Sequence, residues 1–163
     1  GHDNYIGSLE QINKECGEWS EFYTNHRLLT LTAKARDQGL FEKKHCNWVE
    51  KLCQRLDELI PACRPSLIHG DLWSGNLLID TSGHPVLIDP AVYYGHPEMD
   101  WAMLSLFGSY PVEALDHYQN LHPLEKGLNE RKDIHQLYPL MVHLILFGKG
   151  YLNGVESTLK KYA

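Results

Sequence analysis

Residues 67–89 read LIHGDLWSGNLLIDTSGHPVLID, and they place Asp71 in a polar loop, Asn76 five residues later and Asp89 at the end of an apolar run. Phosphoryl transfer uses such a set. One carboxylate accepts the proton of the attacking hydroxyl, and hard oxygen ligands hold magnesium against the phosphates of ATP. In that reading Asp71 is the base, and Asn76 and Asp89 are the magnesium ligands. Each residue alone has a plainer use: Asp71 as a loop cap, Asn76 as a turn former, Asp89 as a strand-end cap. The chemical reading rests on the joint pattern, H-G-D-x-x-x-x-N followed thirteen residues on by an Asp after an apolar strand.

Such residues need a rigid frame. Residues 66–69, 77–80 and 86–89 read as short strands, and Thr81-Ser82-Gly83-His84-Pro85 has the composition of a tight turn joining the last two in a hairpin. The loop is then pinned at both ends, and Gly70 and Gly75 permit turns that a side chain would obstruct. Helices surround this element. Residues 18–38 carry Trp19, Phe22, Tyr23, His26, Leu29 and Ala33 at helical spacing, with Gly39 as a stop. Residues 41–60 carry Cys46, Val49, Cys53, Leu56 and Ile60 along one stripe, beside Trp48, Leu52 and Leu59, and end at Pro61. Helices are also expected over 98–107, 111–118 and 133–147, the last with Leu137, Leu140, Met141, Leu144 and Ile145 on its apolar face. With no repeat, low-complexity tract or linker, residues 1–163 read as one domain, α+β but mainly α, with a small β hairpin around the loop.

Composition narrows the partners. The apolar fraction of 43% and charged fraction of 22% are those of a packed globular domain. Fifteen Lys and Arg stand against 21 Asp and Glu, for a net charge of −6, and the positives are scattered, which disfavours a nucleic-acid partner. No apolar run approaches the ~20 residues of a membrane span, and the first residues lack a signal-peptide pattern, so a cytoplasmic protein is expected. Cys16, Cys46, Cys53 and Cys63 show no C-x-x-C or zinc-like spacing and are expected as free thiols.

His69-Gly70-Asp71 stands where protein kinases have H-R-D, and Asp89-Pro90 where they have D-F-G. The blocks HGDLWSGNLLID, LIDPAVYYGHPEMDWAMLSLFG and LYPLMVHLILFGKGY resemble successive signatures of the fructosamine kinase (ketosamine kinase) family. The opening DNYIG, followed by W-x-x-F-Y-x-x-x-R-L, is similar to that family's approach to its helical lobe, so the likeness runs through essentially the whole chain. It implies a protein-kinase-like C-terminal lobe with Asp71 as base, Asn76 and Asp89 on magnesium, and Trp73 as an aromatic wall beside the sugar. Glu98 and Asp100 would lie near the catalytic loop, where a carboxylate can brace its backbone amides, and His69 would hold the loop. Tyr93, Tyr94, His96 and His143 are candidates for the sugar-facing surface, since aromatic faces suit the CH side of a sugar and imidazoles its hydroxyls. Core packing is the alternative for Tyr93, Tyr94 and His143. The implied activity is ATP-dependent phosphorylation of the third-carbon hydroxyl of a ketoamine, free or protein-borne, which leads to loss of the sugar and repair of the glycated amine.

One departure stands beside the matches. The glycine-rich loop, the strand Lys and the helix Glu that clamp nucleotide phosphates in kinases are absent from these residues. The expectation is a lobe separated from an N-terminal ATP-binding lobe, inactive alone, with an exposed former interface that favours self-association. Three rivals remain. An aminoglycoside, choline or homoserine kinase would share H-G-D, though the LWSGN and YYGHPE context favours ketoamines. A non-catalytic binding module fits the absent lobe but not the complete Asp71, Asn76 and Asp89 set. A metal-dependent phosphohydrolase would want a nucleophilic Asp at the end of an apolar strand, whereas Asp71 opens a loop.

Overall fold

The computed structural model of the chain describes residues 2–108 and 112–163, and these fall into two compact units. The first comprises residues 1–63 and 137–163, the second residues 64–136.

In the first unit, strands β1 (Asn4–Ile6) and β2 (Leu9–Gln11) form an antiparallel hairpin that the sequence reading did not anticipate. Gly7 turns it with φ +56°. Three-residue strands are too short for an alternating pattern to stand out. The helix expected over 18–38 is interrupted: α1 (Trp19–Tyr23) passes into a π-helical turn (Thr24–Leu28) before α2 (Leu29–Asp37), and Gly39 follows at φ +68°. A π turn inserts one residue into the helical register. The buried stripe therefore shifts from the expected His26, Leu29 and Ala33 to Arg27, Leu28, Leu31 and Ala35. Arg27 is wholly buried. Its guanidinium donates to the carbonyl of Ile12 at 2.7 Å and to Oδ1 of Asn13 at 2.8 Å, and it lies over the rings of Phe22 and Tyr138.

The helix expected over 41–60 is likewise two, α3 (Lys43–Cys53) and α4 (Leu56–Leu59). Its inner face is His45, Val49, Leu52, Leu56 and Ile60, while Cys46 and Cys53 are only half-buried. His45 explains the rotation. Its Nδ1 accepts the Glu42 amide at 2.8 Å, so its Nε2 carries the proton and donates to Glu156 Oε1 at 2.8 Å, on α8 (Leu152–Tyr162). That partner lies 111 residues away in the chain.

The second unit holds β3 (Ser66–Ile68), β4 (Leu77–Ile79), β5 (Pro85–Leu87) and β6 (Tyr93–Gly95), then α5 (Glu98–Leu104) and α6 (Val112–Leu121). Helix α7 (Leu128–Phe147) begins here and ends in the first unit. It starts five residues before the expected Asp133. The expected β4–β5 hairpin is present, with Leu78 opposite Val86, and all six of its strand residues are exposed. The third pairing was missed from sequence: β6 runs antiparallel to β3, with Ile68 opposite Tyr93 on the buried face and Leu67 opposite Tyr94 on the exposed one. Pro111, the expected start of a helix over 111–118, lies outside the described residues. Among the described residues no helix is long and apolar enough to cross a membrane, and all four cysteines are free.

The two readings of α3 predict different mutational costs. Leu52→Ala, at a fully buried site, is expected to lower stability by about 2–5 kcal/mol, whereas Cys46→Ser should stay within about 1 kcal/mol. Urea denaturation of both variants checks this, and comparable losses would restore the cysteine-lined face.

Candidate active site

The loop between β3 and β4 is held by an acceptor on α5. The Asp100 carboxylate takes two successive amides, His69 N–H at 2.7 Å and Gly70 N–H at 2.9 Å. Burial raises its pKa from the ordinary value, and the two amides pull the other way. Gly70 has φ +81°, and a Cβ there would stand 2.1 Å from the Ala91 carbonyl oxygen. No other residue fits that approach.

His69 then ties the loop to the segment after β5. Its Nδ1 accepts the Asp71 amide at 3.3 Å, which places the ring proton on Nε2, and Nε2–H donates to the Ile88 carbonyl at 3.0 Å. Its own carbonyl accepts the Ala91 amide at 2.9 Å. Asn76, buried at the end of a 3₁₀ turn (Ser74–Asn76), completes the web: its Nδ2 donates to the Asp71 carbonyl at 2.8 Å and to Asp71 Oδ2 at 3.2 Å, and its carbonyl accepts the Ile88 amide at 3.0 Å. Two acceptors on Asp71 require the amide nitrogen of Asn76 on that side, which leaves Asn76 Oδ1 facing elsewhere. Asp89 follows Ile88 directly. Among the described residues it is the one non-glycine with positive φ, +50°, a conformation that costs on the order of 1–3 kcal/mol and persists where the surroundings impose it.

Asp71, Asn76 and the Ile88–Asp89 step are therefore joined by direct hydrogen bonds. Asn76 Oδ1 and the exposed Asp89 carboxylate are hard oxygen donors of the kind magnesium takes. Trp73, 37% exposed, lies two residues beyond Asp71.

The fructosamine kinase family model matches residues 1–163. The chain belongs to the fructosamine kinase family. A "Probable ketoamine kinase" of Lactiplantibacillus plantarum is 42% identical over 99% of this chain and 58% of its own length. The chloroplastic protein-ribulosamine 3-kinase of Oryza sativa subsp. japonica is 37% identical over 98% of this chain and 47% of its own. The crystal structure of a candidate fructosamine-3-kinase from Thermobifida fusca matches with a TM-score of 0.91 at 41% identity, over 97% of this chain and 55% of that one. The chain thus spans about half the length of the relatives it matches, and its fold is that of this kinase family.

Three residues named from sequence are buried: Tyr93, for which core packing was the alternative, and His96 and Glu98. Tyr93, 4% exposed, packs its ring beside Gly70 and Gly95, and its place opposite Ile68 makes it a core residue. His96, 2% exposed, lies against the ring of His135 at 4.9 Å. The β3–β6 pairing turns Tyr93 inward, and His96, one residue past β6, is buried against His135. Glu98 braces no loop amide. It is fully buried, bound by the Arg131 guanidinium through both oxygens and by His135 Nε2–H at 3.1 Å. His143 belongs to the first unit, where its Nδ1 bonds the Pro139 carbonyl at 2.7 Å and its ring lies against Phe147 and Tyr151. Tyr94 is 67% exposed.

His96, Glu98 and His135 also bring three ligand-type atoms within 4.8 Å of one another. Arg131 already occupies both Glu98 oxygens, and its positive charge opposes a cation there, so the group is an ion-pair network. Burial raises the Glu98 pKa, but the bonds from His135 and Arg131 outweigh it and hold the carboxyl at about 2. Burial conversely lowers that of His135. A depressed carboxyl contributes stability that is complete above its unfolded value, about 4.3, and is lost as pH falls toward about 2. Glu98→Gln should flatten that acid-side loss. It should also cost roughly 3–5 kcal/mol at neutral pH by leaving Arg131 buried without its counter-charge. Denaturation midpoints measured across the acid range test both, and an unchanged acid slope would contradict the role of Glu98.

Proposed function

We propose that this chain is the catalytic part of an ATP-dependent kinase that phosphorylates the third-carbon hydroxyl of ketosamines, fructosamines or ribulosamines, and so initiates deglycation. The observation that carries the reading is the hydrogen-bond web joining Asp71, Asn76 and the Ile88–Asp89 step, on a chain that the fructosamine kinase family matches throughout. The names of the ketoamine and ribulosamine kinase relatives support the substrate class.

In this reading Asp71 accepts the proton of the sugar hydroxyl as its oxygen bonds to the terminal phosphorus of ATP and the bond to the departing ADP oxygen breaks. The Asn76 amide, donating to Asp71 Oδ2, fixes the carboxylate's orientation. Asn76 Oδ1 and Asp89 are the residues that would hold magnesium, whose chemistry is to neutralise charge on the phosphates. A preceding ATP-binding lobe is part of the proposal, supported by the 47–58% share of the relatives' lengths that this chain covers. Four free cysteines suit a reducing compartment, for which we propose the cytoplasm.

Two measurements on the full-length protein test this. Asp71→Asn is expected to lower kcat about 10²–10⁴-fold with the thermal midpoint unchanged, and activity within a few-fold of the parent would remove Asp71 from the role of base. Specificity constants across fructosyl- and ribulosyl-amines, choline, homoserine and an aminoglycoside should favour the ketoamines, and preference for any of the others would transfer the protein to that activity.

A further inference from the structure

Trp73 packs against Gly75 and Phe107. The six-membered ring of its indole covers the bare Cα of Gly75: a Cβ there would stand 2.3 Å from Trp73 Cη2, 2.4 Å from Cζ2 and 2.7 Å from Cζ3. The ring of Phe107, three residues beyond the end of α5, meets the indole edge-on, with centroids 6.3 Å apart and planes at 75°. Among the described residues no hydrogen bond takes up the Trp73 indole N–H, and the residue remains 37% exposed. A large aromatic, partly open to solvent and carrying a donor that no described residue takes up, thus stands two residues from Asp71. A packed but partly exposed Trp offers a sugar both an apolar face and a hydroxyl partner.

We propose that Gly75 and Phe107 are positioning residues that set the pose of Trp73 as the wall against which the ketoamine sugar lies. This rests on the ketoamine reading above. Gly75 is needed because any side chain would drive the indole off the loop, and Phe107 because an edge-to-face pair is what keeps a half-exposed indole from rotating away. Neither residue touches the reacting atoms. Their loss should weaken sugar binding while leaving the base and the magnesium ligands in place.

The full-length kinase labelled with 5-fluorotryptophan gives a readout independent of turnover, the Trp73 resonance being the one lost in Trp73→Phe. Phe107→Ala and Gly75→Ala should each move that resonance in the ligand-free protein. Each should raise KM for 1-deoxy-1-morpholinofructose, and Phe107→Ala, which lies off the loop, should keep kcat and the KM for ATP within about two-fold of the parent. The rise in KM is expected at about 2–10-fold, the energy range of one aromatic pair. Phe107→Tyr, which keeps the ring, should restore both values. A parent that phosphorylates the ketoamine while both alanine variants keep its KM, or leave the Trp73 resonance unmoved, overturns the positioning roles alone. A parent that leaves the ketoamine unphosphorylated overturns the substrate reading and this assignment with it.

Discussion

Two hydrogen bonds to one carboxylate organise the second unit. Asp100 accepts the amides of His69 and Gly70, and those amides fix the point where β3 ends and the loop begins. From there every connection is local and directional. His69 reaches across to Ile88, Asn76 bonds both Asp71 and Ile88, and the chain is carried through Asp89 in a conformation that an unconstrained Asp seldom keeps. The proposed proton transfer and metal binding require side chains held to a close tolerance. Here the tolerance comes from anchoring the loop's backbone before placing its side chains.

Asp100 can serve as an anchor because its helix is itself fixed. Glu98, two residues earlier on α5, lies roughly 200° around the helix from Asp100. It is bound to Arg131 and His135 on α7, and Arg131 also donates to the carbonyls of Glu125 and Lys126. One side of α5 is thus locked by a buried ion pair while the other presents a carboxylate to the loop. In the first unit His45 and Glu156 join α3 to α8 by a comparable polar contact, in which the capping bond at Nδ1 sets the tautomer that Nε2 uses.

Local pattern in the sequence was enough for the loop, the β4–β5 hairpin and the mainly helical character, because a glycine-flanked turn and apolar runs of three or four residues leave marks within a short window. The residues that periodicity misplaced owe their positions to events outside any window. A π turn moved the inner face from Leu29 to Leu28, and a bond spanning 111 residues drew His45 inward in place of Cys46. Tyr93 and His96 looked like ligand-facing residues because aromatics and histidines near a catalytic motif suit a sugar. The pairing of β6 with β3 turns Tyr93 to the core, and His135 on α7 packs over His96; both partners lie outside the local window. Asp100 and Glu98, two residues apart in one motif, were expected to share a task. The helix that carries them separates it.

The double acceptor at Asp100 has a consequence for how variation in this chain is to be read. A survey of substitutions scored by turnover would rank Asp100 beside Asp71, the proposed base, since loss of the Asp100 carboxylate releases the loop that carries Asp71. In the proposed mechanism only Asp71 is chemical. Asparagine at position 100 offers one carbonyl oxygen where two amides require acceptors, so the most conservative exchange still leaves a backbone donor unmet. Damage would then propagate as misplacement, and an inherited or selected change there would look like a lost active site in a protein whose every reacting group is intact.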